Sequence, residues 1–273
     1  MPPPGADGAR WDARIARARA LARQHPAASE ILTFYAELAT FQKAQLEARP
    51  PSARERAELD VGRIASAVPA LIDLLSRTAP ALLAEAAGEL RAVDRSDWHA
   101  LIERYWSADA HEIPDTDDVM LFVVEALLQP FAEALATARG GGDPPQAAAD
   151  SPPRTARCPA CGGKPVVGVL REAGQGARRS LVCGTCLFEW PWPRVTCPSC
   201  GESSFDALPV FRADAFKAAR VDACDTCRKY LKTIDLSTDG LAIPVVDELA
   251  ALPLDLWARE QGYAKLRPNL LRM

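Results

Sequence analysis

Eight cysteines in four Cys-x-x-Cys pairs constrain this chain more than any other feature of its sequence. The pairs are Cys158/Cys161, Cys183/Cys186, Cys197/Cys200 and Cys224/Cys227. Two intervening residues allow a tight turn to direct both sulfurs toward one metal ion, and two such turns complete a tetrahedral site. We therefore predict that all eight cysteines are metal ligands. The alternatives are a disulfide framework and redox-active pairs of cysteines.

An internal repeat indicates which pairs share a metal. "CPACGG" and "CPSCGE" each carry Pro after the first Cys and Gly after the second, whereas "CGTC" and "CDTC" each carry Thr before the second Cys. A glycine after the second Cys accommodates a positive φ. We call the pairs with Pro and Gly A-type and the pairs with Thr B-type. Their order along the chain is A-B-A-B, which favours two consecutive sites. The first would be Cys158, Cys161, Cys183 and Cys186, and the second Cys197, Cys200, Cys224 and Cys227. In the alternative, the pairs interleave and the first and third share a metal.

The fold class predicted from the rest of the chain is α+β. Residues 10–138 are rich in Ala, Leu, Arg and Glu, which favour helices, and prolines divide the segment into about six of them. Beyond residue 153, short β-branched or aromatic runs such as "KPVVGVL" and "YLKTIDL" predict strands. The end of the chain, "PVVDELAALPLDLWAREQGY", predicts a C-terminal helix.

These patterns predict five units along the chain. Residues 1–139 form a helical domain, and the composition of "GGGDPPQAAADSPP" predicts a linker over 140–153. Two tandem cysteine modules follow at 154–195 and 196–240. The helical segment 241–273 completes the chain.

Charge is distributed unevenly over a chain whose net charge is −4. Residues 1–153 carry a net −8, whereas residues 154–236 hold 13 basic and 8 acidic side chains, a net +5. Four thiolates on Zn²⁺ carry −2, so the positive segment offsets the charge of the predicted sites. The N-terminus has no apolar core typical of a secretory signal, and the apolar stretches are too short to span a bilayer. We expect a cytoplasmic protein without membrane insertion, in a compartment where thiols stay reduced.

No pattern in the sequence indicates catalysis. His25, His99 and His111 lack a Ser, Cys or paired-carboxylate context, so we expect structural or solvated roles for them. Asp115, Asp117 and Asp118 are better explained by a helix start than by a cation site. The chain has no G-x-G-x-x-G or Walker pattern. We predict that the protein is not an enzyme.

The cysteine-bearing region resembles one known family. "CPACGGKPVVGVL", "RRSLVCGTCLFEWPWPRVTCPSCGE", "DACDTCRKYLKTIDL" and "LPLDLWAREQGYAKLRPNLL" are similar to the formate dehydrogenase accessory protein family, FdhE. The resemblance covers Cys158 to Leu271 and includes all four pairs, whereas the helical half is only compatible with it. Ser180 stands where the family pattern has a tyrosine.

The resemblance implies a non-catalytic assembly factor. Family members act in the cytoplasm and contact the catalytic subunit of respiratory formate dehydrogenase before its export. The C-terminal part would then be two rubredoxin-like or zinc-ribbon modules that bind iron through the eight cysteines, with zinc as the other candidate metal.

A nucleic-acid-binding zinc-ribbon protein is the alternative function. Zinc ribbons often bind nucleic acid, but the acidic helical half and the lack of a dense basic stripe argue against it. We therefore expect a protein partner rather than DNA or RNA.

Overall fold

The computed structural model describes residues 6–48, 58–139, 156–174 and 176–273, and the side chains from residue 8 onward within them. The predicted linker over 140–153 lies outside the described residues. The described chain contains a helical part, a sheet that carries the cysteines, and two short C-terminal helices. This arrangement confirms the predicted α+β class.

The helical part comprises seven α-helices within the described residues, one more than expected. They are α1 (Ala6–Gln24), α2 (Ser29–Ala48), α3 (Val61–Ser66), α4 (Val68–Thr78), α5 (Ala81–Glu89), α6 (Arg95–Ser107) and α7 (Asp118–Ala138). Asp60 caps α3 by accepting from the Arg63 amide. Helices α3 and α4 are separated at Ala67, just before Pro69 in the first turn of α4, where a proline fits best.

Helix α7 forms the centre of the helical part. Its length and composition would suffice to cross a membrane, yet 83% of its most apolar window is buried inside the protein, as in a core helix. Three polar side chains, Glu125, Gln129 and Glu133, are buried on it at a spacing of four residues. This spacing places them on one face of the helix. The buried polar face connects α7 to other parts of the chain: Arg14 on α1 donates two hydrogen bonds to Glu133, of 2.6 and 2.7 Å.

The sheet has seven strands in the described chain. They are β1 (Pro165–Ala173), β2 (Gly176–Cys183), β3 (Glu189–Pro191), β4 (Val210–Arg212), β5 (Ala219–Cys224), β6 (Lys229–Asp235) and β7 (Ala264–Lys265). The order across the sheet is β3-β2-β1-β6-β5-β4, with β7 beside β6. Each cysteine module contributes an antiparallel group of three strands, and the two groups join where β1 pairs with β6 in parallel. The two modules therefore share one continuous sheet.

The C-terminal segment contains two helices where one was predicted. Helices α8 (Pro244–Ala250) and α9 (Leu252–Glu260) are separated at Ala251, two residues before Pro253. Both lie against the sheet through a buried ionic cluster. Lys232 of β6 is fully buried, and its Nζ lies 3.0 Å from Glu248 of α8 and 2.5 Å from Asp255 of α9. These contacts hold the end of the chain against the strands of the second module.

Candidate metal centres

The first cysteine cluster joins the first two pairs of the sequence. Cys158 and Cys161 precede β1, while Cys183 ends β2 and Cys186 follows it. The Sγ atoms of Cys158 and Cys186 lie 3.6 Å apart, and those of Cys161 and Cys183 lie 3.5 Å apart. All four sulfurs are within 4.8 Å of one another, and only Cys161 is partly exposed.

The second cluster repeats this arrangement with the third and fourth pairs. Its sulfur–sulfur distances are 3.8 Å between Cys197 and Cys227 and 3.7 Å between Cys200 and Cys224. The four sulfurs again lie within 4.8 Å of one another, but both Cys200 and Cys227 are partly exposed. The grouping is the consecutive one that the A-B-A-B repeat favours, and the interleaved pairing is not observed.

Matching backbone turns direct the sulfurs of the A-type pairs. Gly162 and Gly201, each directly after the second Cys, have φ of 80° and 78°. The amide of Cys158 donates to the carbonyl of Gly163 over 2.8 Å, and the amide of Cys197 donates to that of Glu202 over 2.8 Å. The positive φ expected at the two glycines is therefore present in both modules.

The B-type pairs adopt the same left-handed turn without glycine. Leu187 and Arg228, each directly after the second Cys, have φ of 56° and 54°. A non-glycine residue pays a steric cost in this conformation. The side chain of Arg228 is held in place, since it donates to Gln261 O over 2.5 Å and stacks on the Tyr263 ring at 3.9 Å. Nothing in "CGTCL" or "CDTCR" signals this conformation.

The sulfur positions fit a tetrahedral metal ion and exclude disulfides. A tetrahedron with metal–sulfur bonds of about 2.3 Å has sulfur–sulfur edges of about 3.8 Å. The four closest distances, between 3.5 and 3.8 Å, match that edge. A disulfide requires about 2.05 Å, and the eight cysteines are free thiols. Both clusters have a geometry that can hold one metal ion each.

Four thiols packed this closely resist losing their protons together. Hydrogen bonding to Cys158 and Cys183 raises the pKa of Cys161, and hydrogen bonding to Cys158 and Cys161 raises the pKa of Cys186. In the second cluster, burial raises the pKa of Cys197. A bound cation supplies the positive charge that allows all four sulfurs to become thiolates. The donor set is therefore suited to a soft or borderline metal such as zinc or iron.

The first cluster lies at the contact between the sheet and the helical part. Arg267, from the C-terminal segment, is 5% exposed and donates to Thr185 Oγ1 over 2.8 Å and to the Tyr105 hydroxyl over 2.9 Å. Thr185 lies between Cys183 and Cys186, and Tyr105 is on α6. From α7, Gln129 Nε2 donates to the carbonyl of Gly184 over 3.4 Å. Three separate parts of the chain therefore meet at this cluster.

His111 is a neighbour of the first cluster that the sequence did not reveal. A Cβ on Gly163 would lie 3.1 Å from Cys183 Sγ and 3.3 Å from the His111 ring, so both lie against this glycine. The ring stacks on Trp106 at 4.7 Å, and burial lowers the pKa of His111. His111 therefore packs beside the cluster as a neutral ring.

His25, His99 and Asp117, which the sequence analysis also considered, make contacts with neighbouring side chains or backbone and lie outside the two cysteine clusters. The His25 ring stacks on Phe216 at 5.3 Å, and His99 lies 3.8 Å from Glu103 on the surface of α6. Asp117 caps α7 by accepting from the amides of Val119 and Met120, as expected for a helix start.

The two tryptophans between the clusters are buried. Trp190 and Trp192 are 6% and 5% exposed and belong to the core that contains Cys158, Cys183 and Cys186. Trp192 Nε1 donates to the carbonyl of Thr196 over 3.0 Å, directly before Cys197. Trp192 thus connects the core around the first cluster to the residue before the second.

Comparison with known proteins finds matches to FdhE proteins. A model described as the FdhE central domain matches residues 157–194, and one described as the FdhE C-terminal domain matches residues 195–272. The crystal structure of the FdhE protein from Pseudomonas aeruginosa superposes with a TM-score of 0.65 at 25% sequence identity, covering 96% of this chain and 95% of that one.

Two curated relatives match this chain over spans of different length. The Protein FdhE homolog of Aquifex aeolicus is 40% identical over 116 residues, but the match spans only 42% of this chain and 41% of the relative. The homolog of Pectobacterium atrosepticum is 28% identical over 273 residues, which is 95% of this chain and 86% of the relative. The family models match only the region with the cysteine clusters, whereas the structural match extends over almost the full length. Residues 157–272 match the FdhE family models, and the full chain has the fold of an FdhE protein.

Proposed function

We propose that this protein is a non-catalytic assembly factor for respiratory formate dehydrogenase. It would dock the immature catalytic subunit in the cytoplasm, before export. The pair of four-cysteine clusters, in the region matched by both FdhE family models, is the observation that carries the proposal.

In this proposal the eight cysteines bind two metal ions that hold the sheet in shape. Small modules of this kind fold on their metal, because the metal replaces much of the core they lack. Iron is favoured by the resemblance to the family, and zinc is the alternative. Elemental analysis with an anaerobic absorption spectrum distinguishes them, since ferric thiolate sites absorb visible light and zinc sites do not. Protein containing neither metal would contradict this part of the proposal.

Metal counts in cysteine variants test which residues share an ion. Cys158→Ser and the double variant Cys158→Ser/Cys183→Ser should each lose one ion per chain. The double variant Cys158→Ser/Cys197→Ser should lose both. Loss of only one ion from the last variant would show that the two cysteines share a metal.

Docking of the catalytic subunit of formate dehydrogenase is tested by co-purification. The full-length chain carrying an affinity tag should retain the catalytic subunit of formate dehydrogenase from cells in which export is blocked. Deleting the gene should abolish formate dehydrogenase activity, while the purified protein should not oxidise formate. Intact activity in the deletion strain would refute the assembly role. Tight, salt-sensitive binding of DNA or RNA in a mobility-shift titration would favour the nucleic-acid alternative.

A further inference from the structure

A small cleft beside the second cluster has an unusual concentration of positive charge. Its volume is about 40 Å³, and its lining includes Cys197 and Cys224. The charged residues of the lining are Arg179, Arg194, Arg220, Lys229 and Asp222. Four cations therefore face one carboxylate around this cleft.

Arg179 is the most buried of these cations. It is 4% exposed, while its neighbour Arg178 is on the exposed face of the same strand. Arg179 Nη1 donates to the carbonyl of Thr196 over 3.3 Å, and Nη2 lies 3.1 Å from Asp222 Oδ2. Its Nε has no hydrogen-bond partner in the described part of the chain. A buried guanidinium with an unused donor favours an additional acceptor.

Asp222 already has several partners, because it pairs with two arginines and accepts a hydrogen bond from a hydroxyl. Arg220 Nε lies 2.7 Å from Asp222 Oδ1, and Thr233 Oγ1 donates to Asp222 Oδ2 over 2.7 Å. One carboxylate is thus shared between two guanidinium groups and a hydroxyl. It neutralises one of the two buried arginine charges and leaves the other without a counter-charge of its own.

A metal ion bound by the second cluster would not neutralise all of the excess positive charge around the cleft. The lining cations and Asp222 give three net positive charges. A divalent ion held by four thiolates carries two negative charges. One positive charge therefore remains when the second cluster is filled. Counter-charge for the cluster explains part of the arginine group, but not all of it.

We propose that the cleft binds a carboxylate group. A volume of 40 Å³ has room for about three water-sized positions, which suits a carboxylate. Guanidinium groups bind carboxylates through paired, coplanar hydrogen bonds. Arg179 would contact the ligand from the buried side, and exposed Arg194, whose Nη1 donates to Ala177 O over 3.4 Å, from the solvent side. The carboxylate belongs either to a small free acid or to an Asp or Glu side chain of a bound peptide.

Isothermal titration calorimetry on the metal-loaded full chain tests this proposal. The ligands are acetate, the blocked tripeptide acetyl-Ala-Asp-Ala-amide and inorganic phosphate, at constant ionic strength in a carboxylate-free buffer. The Asn version of the tripeptide is the neutral control. Saturable binding of acetate and the Asp peptide, without binding of the Asn peptide, supports the proposal. Tighter binding of the Asp peptide identifies a protein source, and equal or tighter binding of acetate identifies a free acid.

Matched arginine variants assign the binding to the cleft. Arg194→Met and Arg179→Lys should each weaken carboxylate binding about tenfold or more, because each removes charge-assisted hydrogen bonds. Arg178→Met, on the exposed face of the same strand, should bind as the unmodified chain does. Metal content is measured in every variant, so that loss of the centre is not mistaken for loss of the ligand.

Two results would overturn the proposal. One is the absence of carboxylate binding, or stronger binding of phosphate than of both carboxylates. The other is carboxylate binding unchanged in Arg194→Met and Arg179→Lys. In either case the arginines serve the metal centre alone, and Arg179→Lys would then change metal retention without any effect on ligand binding.

Discussion

Gly168 on β1 lies directly opposite Thr233 on β6, where the strands of the two cysteine modules pair in parallel. A Cβ placed on Gly168 would overlap Thr233 Oγ1 and lie 3.2 Å from Thr233 Cβ. Thr233 cannot easily move, because its hydroxyl donates to Asp222 over 2.7 Å. The absence of a side chain at Gly168 is therefore what allows the two modules to form one sheet.

Replacing Gly168 with Ala should separate the two modules or strain their junction. Overpacking of this kind costs about 1–3 kcal/mol of unfolding free energy, which urea denaturation would detect. Gly176→Ala is the control, because a Cβ there meets no atom within 4 Å. Equal stability of the two variants would show that the junction adapts to the added methyl group.

The two metal centres should differ in how fast they release their ions. The second cluster has two partly exposed cysteines, Cys200 and Cys227, whereas the first has only Cys161 and lies against the helical part. Less local opening is needed to reach the second ion, so we expect it to dissociate about tenfold faster. Cys158→Ser keeps only the second centre and Cys197→Ser keeps only the first. Chelator-induced release from each variant gives the two rates, and equal rates would contradict the prediction.

Local sequence predicted the grouping of the cysteines because the four pairs and their repeat are local patterns. The turn of each A-type pair needs a positive φ, and Gly162 and Gly201 signal it directly. The equivalent turns at Leu187 and Arg228 had no such signal, since a leucine or an arginine gives no hint of a left-handed backbone. The repeat of the four pairs nevertheless sufficed to group the cysteines.

Contacts between distant parts of the chain were beyond sequence reasoning. Arg267 and Tyr105 are 162 residues apart and meet only because the C-terminal segment folds back onto the first cluster. The same holds for His111, which comes from the helical part and packs against Gly163. Neither residue lies in a motif, so only the three-dimensional structure brings them to the site.

Arg267→Met should destabilise the protein and loosen the first metal centre. The change removes the buried donor to Thr185 and to the Tyr105 hydroxyl, and it removes one of the two arginines paired with Glu125, which costs about 3 kcal/mol. Because Thr185 lies between Cys183 and Cys186, the first ion should also be released faster than in the unmodified chain. Urea denaturation and chelator-induced release measure the two effects.

A surface ion pair is the matched control for Arg267. Arg91 pairs with Asp73 over 2.8 Å, and both side chains are about half exposed, at 53% and 51%. Arg91→Met should therefore change stability by less than about 1 kcal/mol. Similar effects of the two substitutions would mean that the buried network around Arg267 contributes little.

Acid should weaken the attachment of the C-terminal helices through Glu248. Burial alone would raise the pKa of Glu248, but the charges of Lys232 and Lys265 outweigh it and lower the pKa to about 2. A depressed folded-state pKa stabilises the protein fully above the unfolded value near 4.5. That contribution, about 3 kcal/mol, is lost as the pH falls from about 4.5 to about 2.

Comparing the unmodified chain with the Glu248→Gln variant isolates this contribution, because acid releases the metal ions from both proteins alike. At pH 7 the variant should be less stable, because Lys232 and Lys265 lose a buried partner. The stability difference between the two proteins should then shrink by about 3 kcal/mol between pH 4.5 and pH 2, as measured by urea denaturation at each pH. Glu260→Gln, at an exposed position of α9, should follow the unmodified chain throughout. A difference that stays constant over this pH range would show that Glu248 is not held ionised by the two lysines.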